Sequence, residues 1–376
     1  MRLYKMELYK LCHKKIFLIG AVCTIAIMSI FFAMKVSEEY AYVDGVTYEG
    51  YRAVQVNRQI TEEFKGVITD EKVEKIVEKY GFPSKVIYDY GGFRDSNFLN
   101  DWVVKYLSDG YLRDWDDYKV ATCTYPIADT DLGAAMEKTG EDIVLEYSSG
   151  WEVFLDFIQI GFILGSILTI FSISPVFAGE GQTKMLPLLF TAQDGKGKDI
   201  IAKIAAVITV SLGIWLGIVM LGFILCGAVF GFSGGKCMIG TTDIVFLSPA
   251  RAVTMIKVSD FIVIVLLYSL LGTLLLCAET ICISAGFRSS FHAVVNAALC
   301  YMTPFLLWMF MALAGGPWLI RLIIWVYMYA SPLYLEMYQV HFDMYSIRPY
   351  VEITAAVLFV YCMIQACRKY RRQQDK

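Results

Sequence analysis

The most restrictive feature of this chain is a series of long apolar runs. The first of them, Ile16–Met34, has nineteen residues and no charged side chain. At about 1.5 Å per helical residue it is roughly 28 Å long, enough to cross the hydrocarbon core of a bilayer. Comparable runs follow at residues 153–176, 202–230, 259–284, 293–314 and 351–367. We therefore expect an all-α polytopic membrane protein with six transmembrane helices, of which helices 2–6 lie within 153–367.

The composition agrees with this prediction. Of the 376 residues, 57% are apolar and 18% are charged. Soluble domains have roughly 45–50% apolar and about 25% charged residues, so this balance is typical of a membrane protein. Ten cysteines occur without any C-x-x-C spacing, which removes the usual zinc and redox motifs. Only Cys123 and Cys237 fall in segments that we expect on the outer side, and the sequence leaves open whether they form a disulfide.

The residues before the first apolar run predict a short amphipathic helix. Within segment 1–15, Tyr4, Leu8 and Leu11 fall on one helical face, and most of the charged residues fall elsewhere. This pattern predicts a helix that lies along the inner headgroup layer of the membrane. The apolar run at 16–34 is too long for a signal peptide and lacks a small-x-small cleavage site, so we expect it to stay as transmembrane helix 1.

A polar segment of 118 residues, 35–152, separates the first two apolar runs. It contains 13 Lys or Arg and 24 Asp or Glu, a local charge of −11. It has no basic stripe, so the sequence gives no support for nucleic-acid binding. Its repeated helix signals predict a folded, helix-rich domain instead of a flexible linker.

Two parts of this domain carry clear helix signals. In the first, Thr69 is a suitable N-cap, apolar residues recur at helical spacing, and Gly81 is a suitable stop. In the second, residues 96–110, the apolar spacing repeats and Gly110 is expected to end the helix. Two further segments are predicted as short strands: 86–90 and 118–125.

The distribution of basic residues predicts the orientation in the membrane. With six spans and an inside N-terminus, the inner segments carry fifteen Lys or Arg and the short outer loops carry five, as the positive-inside tendency requires. Pro317–Pro332 is too short for a span and contains Arg321, so we expect it to be re-entrant or interfacial and place it in an outer re-entrant segment, 314–350. A seventh span there would put the basic tail, 368–376, outside. We therefore expect cytoplasmic termini, an extracytoplasmic polar domain and a cytoplasmic loop at 177–203.

Sequence motifs for catalysis do not occur. Gly195-Lys196 and Gly235-Lys236 contain the Gly-Lys of a nucleotide-binding P-loop, but Phe190 and Phe230 stand where that motif needs its first Gly. Neither Lys is followed by Ser or Thr, so neither stretch fits the phosphate-binding pattern. The three histidines are scattered, and no nucleophile or paired-acid motif accompanies them. We expect no catalytic, cofactor-binding or metal-binding residue in this chain.

One acidic residue, Glu279, lies deep in the fourth apolar run. Ionisable side chains in lipid cost several kcal/mol and usually face a protein interior or a cavity. Glu279 could line a substrate path or bridge to a neighbouring span, and it could equally be protonated or paired locally near the headgroups. The residues alone leave both interpretations open.

A charged stretch, 179–204, lies between the second and third apolar runs. Within it Leu186, Leu188 and Leu189 form an apolar patch, and the Gly-Lys-Gly-Lys step predicts a turn before the next helix. An exposed leucine patch among basic residues is typical of a docking surface. A helix on the membrane surface is the alternative, and it also stays open.

These features together resemble the permease subunits of bacterial ABC-2-type exporters. The resemblance rests on the amphipathic N-terminus, on the large segment between spans 1 and 2, and on the order of residues in the inner loop. That order comprises Glu180, Thr183, Leu186, Leu188, Leu189, Thr191, Lys196, Ile200 and Lys203. The loop departs from the family pattern, because its Gly is displaced by one position before Thr183 and Gly-Lys steps replace the usual Ser/Pro-Arg turn.

The resemblance implies transport without catalysis in this chain. A separate ABC ATP-binding subunit would bind ATP and Mg and would dock on a coupling helix. The residues implied for that coupling are Glu180, Thr183, Lys184, Leu186, Leu188, Leu189 and Thr191. The N-terminal amphipathic helix, with Tyr4, Leu8 and Leu11, would correspond to the elbow helix of the family. The resemblance further implies a homodimer or a heterodimer with a second permease, contact with membrane lipids, export, and a multi-pass location in the bacterial cytoplasmic membrane.

Two other functions stay open at this point. The chain could be a non-transporting membrane sensor or anchor whose extracytoplasmic domain binds a ligand or a protein. A secondary transporter would normally have more spans or an internal repeat, and we find no repeat.

Overall fold

The computed structural model of the chain describes residues 2–83, 95–110, 120–183, 197–242, 256–314, 317–337 and 348–372. Its helices, in chain order, are α1 (Arg2–Cys12), α2 (Lys15–Glu38), α3 (Tyr51–Phe64), α4 (Asp70–Tyr80), α5 (Phe98–Leu107), α6 (Asp131–Thr139), α7 (Ser149–Ile173), α8 (Pro175–Gln182), α9 (Lys198–Val229), α10 (Val258–Ser284), α11 (Ser290–Ala314), α12 (Trp318–Tyr329), α13 (Pro332–Met337) and α14 (Arg348–Arg372). Four short strands form two antiparallel pairs: β1 (Tyr40–Val43) with β2 (Val46–Glu49), and β3 (Gly66–Val67) with β4 (Val144–Leu145).

Six helical stretches in the described part of the chain are long and apolar enough to cross a membrane. They are α2, α7 with α8, α9, α10, α11 and α14. The sequence prediction of six apolar spans is therefore confirmed, although each helix begins earlier than its apolar run. The cause is that an apolar run marks only the part suited to hydrocarbon, whereas the helix continues into charged flanks whose long side chains can reach water.

Helix α2 is apolar all round and exposes most of its apolar side chains, although Met28 and Phe32 are buried. Ile19, Val22 and Ile30 are 63%, 67% and 62% exposed, and their neighbours are also apolar. A helix that is apolar all round belongs in an apolar surrounding. Such a surface is what a bilayer covers, and it supports a multi-pass membrane protein.

The chain divides into two compact units. The membrane unit comprises residues 1–28, 158–220 and 264–376, and the polar unit comprises residues 29–157 and 221–263. The boundaries between the units fall within long helices, so α2, α7, α9 and α10 each contribute residues to both.

The core of the membrane unit includes the N-terminal helix. Leu11 of α1 is 3% exposed and packs in a cluster with Phe177 and Tyr370, and Tyr4 and Leu8 pack against the same cluster. The apolar face that the sequence predicts for the headgroup layer therefore contacts protein. The physical reason is that side chains of other helices offer this face the same apolar environment together with closer packing.

The polar unit begins with a β-hairpin that the sequence analysis did not predict. Strands β1 and β2 pair from Tyr40–Glu49 to Val43–Val46. Asp44 and Gly45 form the turn with φ of 51° and 78°. Two consecutive positive φ values are the requirement of a tight hairpin turn, and Asp-Gly between apolar residues is a known signal for it.

The predicted helix near Thr69 is confirmed and the second one ends earlier than predicted. Thr69 accepts a hydrogen bond from the backbone N–H of Lys72, and Gly81 has φ of 66° at the end of α4. Helix α5 ends at Leu107, so Gly110 does not end it. A side chain at Gly110 would lie 2.8 Å from the backbone N of Ala121, so this glycine allows a close chain approach.

The two predicted strands have different outcomes. Segment 86–90 lies outside the described residues. Of 118–125, the described part makes one isolated bridge between Thr124 and Ser108, which is less than a strand. Cys123 and Cys237 are free thiols, so the disulfide left open by the sequence is not formed in this structure.

Buried Asn57 ties three elements of the polar unit together. It lies on α3 and is 3% exposed. Its Nδ2 donates to the carbonyl of Tyr40 on β1 at 3.0 Å, and its Oδ1 accepts from the backbone N–H of Phe98 on α5 at 3.1 Å. Buried backbone groups need such partners because water cannot reach them.

We predict that Asn57→Ala loosens this junction. The change leaves the Tyr40 carbonyl and the Phe98 N–H, both partly buried, without their partner, and an unsatisfied buried group costs about 1–3 kcal/mol. Hydrogen–deuterium exchange of the purified chain should become faster over β1 and the first turn of α5. Gln59→Ala, at an exposed position of the same helix, is the matched control, and equal exchange in the two variants would contradict the prediction.

Candidate functional site

A buried lysine links the two sides of the predicted coupling loop. Lys203 lies in the second turn of α9 and its side chain is 1% exposed. Its Nζ is 2.5 Å from Oε1 of Glu180 on α8, and it also pairs with Asp199 one turn earlier on α9. Glu180 lies near the start of the predicted loop, 177–203, and the other two residues lie near its end. One cation therefore fastens both ends of this segment of the chain.

Aromatic side chains complete the environment of this lysine. The hydroxyl of Tyr370 on α14 donates to Oε2 of Glu180 at 2.9 Å. The Lys203 ammonium lies 5.7 Å from the ring centroid of Phe177 and 5.5 Å from that of Tyr370. Ring faces attract cations at such distances. The buried charge is thus compensated by carboxylates and by π-electrons, as burial requires.

The beginning of α8 is held by the end of α10. Ser284 Oγ accepts hydrogen bonds from the backbone N–H groups of Phe177 and Ala178 at 3.1 and 3.2 Å. It also donates to the carbonyl of Ser174 at 2.6 Å. One hydroxyl therefore satisfies backbone groups where α7 gives way to α8. We call the residues Glu180, Asp199, Lys203, Tyr370 and Ser284 the inner cluster.

A second polar group lies around Glu336 of α13, which is 1% exposed. Ser166 of α7 donates to both carboxyl oxygens, at 2.8 and 2.6 Å. Tyr301 of α11 donates to Oε2 at 3.0 Å, and Thr273 of α10 donates to Oε1 at 3.4 Å. We call these four residues the Glu336 cluster. It joins α13 to three helices of the membrane unit through side chains.

A glycine makes this cluster possible. A Cβ at Gly272 of α10 would lie 2.9 Å from Cγ of Glu336 and 3.0 Å from the carbonyl oxygen of Pro332. The first distance is shorter than real Cβ contacts and the second is tighter than most of them, so a side chain there would require α13 to shift. Small residues commonly allow such close approaches between helices in membranes.

Glu279 of α10 contacts a residue of the neighbouring helix, α11. The Sγ of Cys300 on α11 is 3.8 Å from Glu279 Oε2. The side chain of Glu279 therefore faces a neighbouring helix. Its predicted role in lining a substrate path stays a prediction.

The structure places only part of the predicted coupling segment. Glu180 belongs to the inner cluster, and Thr183 Oγ1 donates to the carbonyl of Gly179 at 3.0 Å. The remaining predicted coupling residues lie outside the described residues: Lys184, Leu186, Leu188, Leu189 and Thr191. Their role stays a prediction from the sequence.

Several residues of the two clusters escaped the sequence analysis. Tyr370 follows the last apolar run and was counted with the basic tail. Glu336 stands in "PLYLEM", beside the segment predicted to be re-entrant, and an acid in such an apolar context is itself a signal. Ser166, Thr273 and Tyr301 gave no signal, because single hydroxyls are common within spans and only packing selects the partners.

The described part of the chain holds no group of three or more His, Cys, Asp or Glu residues arranged to bind a metal ion. Neither a family model, nor a curated protein, nor a solved structure matches the chain. The function must therefore be argued from the residues and their geometry.

We predict that Gly272→Ala destabilises the membrane unit. The added methyl group overlaps the Glu336 side chain and α13, and overpacking of this kind costs about 1–3 kcal/mol. The midpoint of thermal unfolding of the purified, detergent-solubilised chain should fall. Gly213→Ala on α9 is the control, because a Cβ there meets nothing within 4 Å. If both variants melt at the wild-type temperature, the close approach at Gly272 has no energetic weight.

We also predict that Lys203→Met destabilises the chain more than a matched change at the surface. The variant leaves buried Asp199 and partly buried Glu180 without their cation, and breaking a buried pair costs about 3–5 kcal/mol. The same thermal-unfolding measurement compares it with Lys198→Met, an exposed lysine at the start of the same helix. A smaller loss for Lys203→Met than for Lys198→Met would contradict the buried ion pair.

Proposed function

We propose that this chain is the membrane-spanning permease subunit of an ATP-driven ABC-2-type exporter. A separate ATP-binding subunit docks beneath residues 2–14 and 179–200, binds ATP and Mg, and hydrolyses the nucleotide. This chain supplies the path for the substrate and the element that moves, and it performs no covalent catalysis. Six apolar helices and the resemblance of the inner loop support this proposal.

The observation that carries the proposal is the fastening of both ends of the coupling loop. Glu180 near the start of the loop and Lys203 at its end form an ion pair in which the lysine is buried. Tyr370 extends the contact to α14. A displacement of the loop by a partner therefore acts on α8, α9 and α14 at the same time. A lever needs such a stiff connection, because a loosely attached loop would absorb the motion.

The packing of α1 supports the same proposal. Leu11 is buried in the cluster that contains Phe177 and Tyr370, and the hydroxyl group of Tyr4 lies 3.0 Å from Thr209 Oγ1 of α9. The elbow helix and the two described ends of the coupling loop thus contact one cluster. A partner that contacts either of them acts on the same group of helices.

ATP hydrolysis moves substrate only if the partner prefers one arrangement of the permease over another. In the proposed cycle, the ATP-bound partner favours one arrangement and the ADP-bound partner the other. The permease acts as a dimer with a second permease, identical or related, and the substrate leaves the cytoplasm across the cytoplasmic membrane. Glu279 faces Cys300 within the bundle and is the proposed charge along the path.

The proposal predicts that an ATP-binding subunit co-purifies with this chain. Affinity purification from native membranes in a mild detergent, followed by mass spectrometry, should identify it. The double change Leu188→Asp and Leu189→Asp should abolish co-purification while the chain still inserts, because aspartates in the leucine patch cannot dock on an apolar surface.

The matched control places two aspartates at exposed positions of the polar unit, Val46→Asp and Thr47→Asp. This control should retain the ATP-binding subunit. Absence of any such subunit with the wild-type chain, in every mild detergent, overturns the proposal and favours the membrane sensor or anchor. Equal loss in both double variants would show that the leucines have no special part in docking.

A further inference from the structure

The polar unit contains a partly open cavity of about 190 Å³. Its lining comes from the residues that follow α2, from α3, from α5, from the start of α7 and from Thr241–Thr242. Pockets for drug-sized ligands are usually about 300–1,000 Å³. A ligand of this cavity is therefore a small molecule of a few heavy atoms.

The cavity has a negative balance of charge. Its lining contains four ionisable side chains that carry charge at neutral pH when solvated: Glu39, Asp101, Lys105 and Glu152. Three carboxylates and one ammonium give a formal charge of −2. Ser96 Oγ donates to Asp101 at 2.6 Å and Ser148 Oγ donates to Glu152 at 2.7 Å. Two of the carboxyl groups are therefore held in fixed orientations.

Aromatic rings form another part of the lining. Trp102 and Tyr106 of α5 have ring centroids 5.3 Å apart. The Nε1–H of Trp102 donates to the carbonyl of Thr241 at 3.0 Å, and the Tyr106 hydroxyl donates to the carbonyl of Thr242 at 3.3 Å. Tyr40 and Phe98 also line the cavity. The two rings of α5 are thus fixed before any ligand arrives, which reduces the entropy lost on binding.

Carboxylates and aromatic faces together favour an organic cation over a metal ion. Ca²⁺ takes 6–8 oxygen ligands and Mg²⁺ near-octahedral oxygen coordination, and the described residues contain no group of three metal-ligating side chains. Aromatic faces, in contrast, attract ammonium groups within about 6 Å of the ring centroid. We propose that this cavity binds a small organic ammonium ion, with Glu39 as the main counter-charge and the α5 rings as the contact surface.

Glu39 fits this role by its position and its titration. It follows α2 directly, and its backbone is fixed because its carbonyl accepts from Gly50 N–H at 2.8 Å. Burial raises the pKa of Glu39 to about 7, with Lys35 opposing the shift and Glu38 adding to it. Burial also raises the pKa of Tyr147, and the charge of Glu39 adds to that shift. An ammonium ligand would replace the solvation that Glu39 has lost.

The pKa of Glu39 predicts how the affinity for the cation changes with pH. The cation binds the ionised carboxylate and competes with its proton, so affinity should rise as pH increases through about 7. Among the described residues, the other charged or titratable groups around Glu39 or its neighbour Tyr147 are Lys35, Glu38, Tyr40, Arg58, Asp101, Lys105, Tyr147 and Glu152. Glu38 is exposed and lies outside the lining of the cavity, whereas Glu39 is part of it.

The test uses choline as the probe and the purified full chain in lipid nanodiscs, with isothermal titration calorimetry at constant ionic strength. The expected result is saturable binding that is stronger at pH 8 than at pH 6. The uncharged isostere of choline, 3,3-dimethylbutan-1-ol, should not bind measurably. Glu39→Gln should weaken choline binding about tenfold, the value of one charge-assisted contact, and should remove the dependence on pH.

Glu38→Gln is the matched control, because it removes the same charge one residue away. It should leave choline affinity within about twofold, given that exposed charges are strongly screened. The proposal is overturned if choline does not bind, if the isostere binds equally, if both Gln variants lose affinity alike, or if Mg²⁺ binds and choline does not. A monodisperse size-exclusion profile of each variant shows that it is folded. The test needs no ATP-binding subunit, so its outcome is independent of the proposed transport function.

Discussion

The cost of leaving a polar group without a partner in an apolar surrounding shapes this protein at every level. In hydrocarbon, backbone groups can be satisfied only within helices or closed barrels, and each unsatisfied group costs several kcal/mol. The long apolar runs therefore form helices. The same cost decides how polar side chains can lie among those helices. Each of them needs a hydrogen-bond or ion-pair partner within the protein.

The membrane unit meets this requirement in two ways. At Lys203 a full positive charge is buried, and two carboxylates with two aromatic rings compensate it. At Glu336 the partners are three hydroxyl groups, from Ser166, Thr273 and Tyr301. Ion pairs and hydroxyl networks both impose one arrangement of the helices that carry them, because any other arrangement leaves a buried group unpaired. For a protein proposed to move between two arrangements, these are the contacts whose exchange would define the second one.

The polar unit solves a different problem. It has shorter elements and an acidic surface, and it is held by buried Asn57 and by an apolar core that includes Leu99, Ile76 and Leu145. Its cavity is lined by charges and rings that backbone carbonyls and serines hold in place. A site for a small cation gives this unit a function of its own, separate from the coupling at the inner cluster.

The sequence by itself determined the number of apolar helices, the place of the polar domain and the cap at Thr69, because hydropathy and helix capping depend on neighbouring residues. It missed the hairpin at Asp44-Gly45, although the signal was present, and it placed the end of α5 at Gly110, which the tertiary structure uses for a close approach to Ala121. Glu180 could be named from the loop pattern, but its partners could not. Tyr370 is 190 positions away along the chain and Glu336 lies 170 positions from Ser166. Such pairs are decided by helix packing alone, since no local pattern in the sequence records which distant hydroxyl or lysine will face a buried carboxylate.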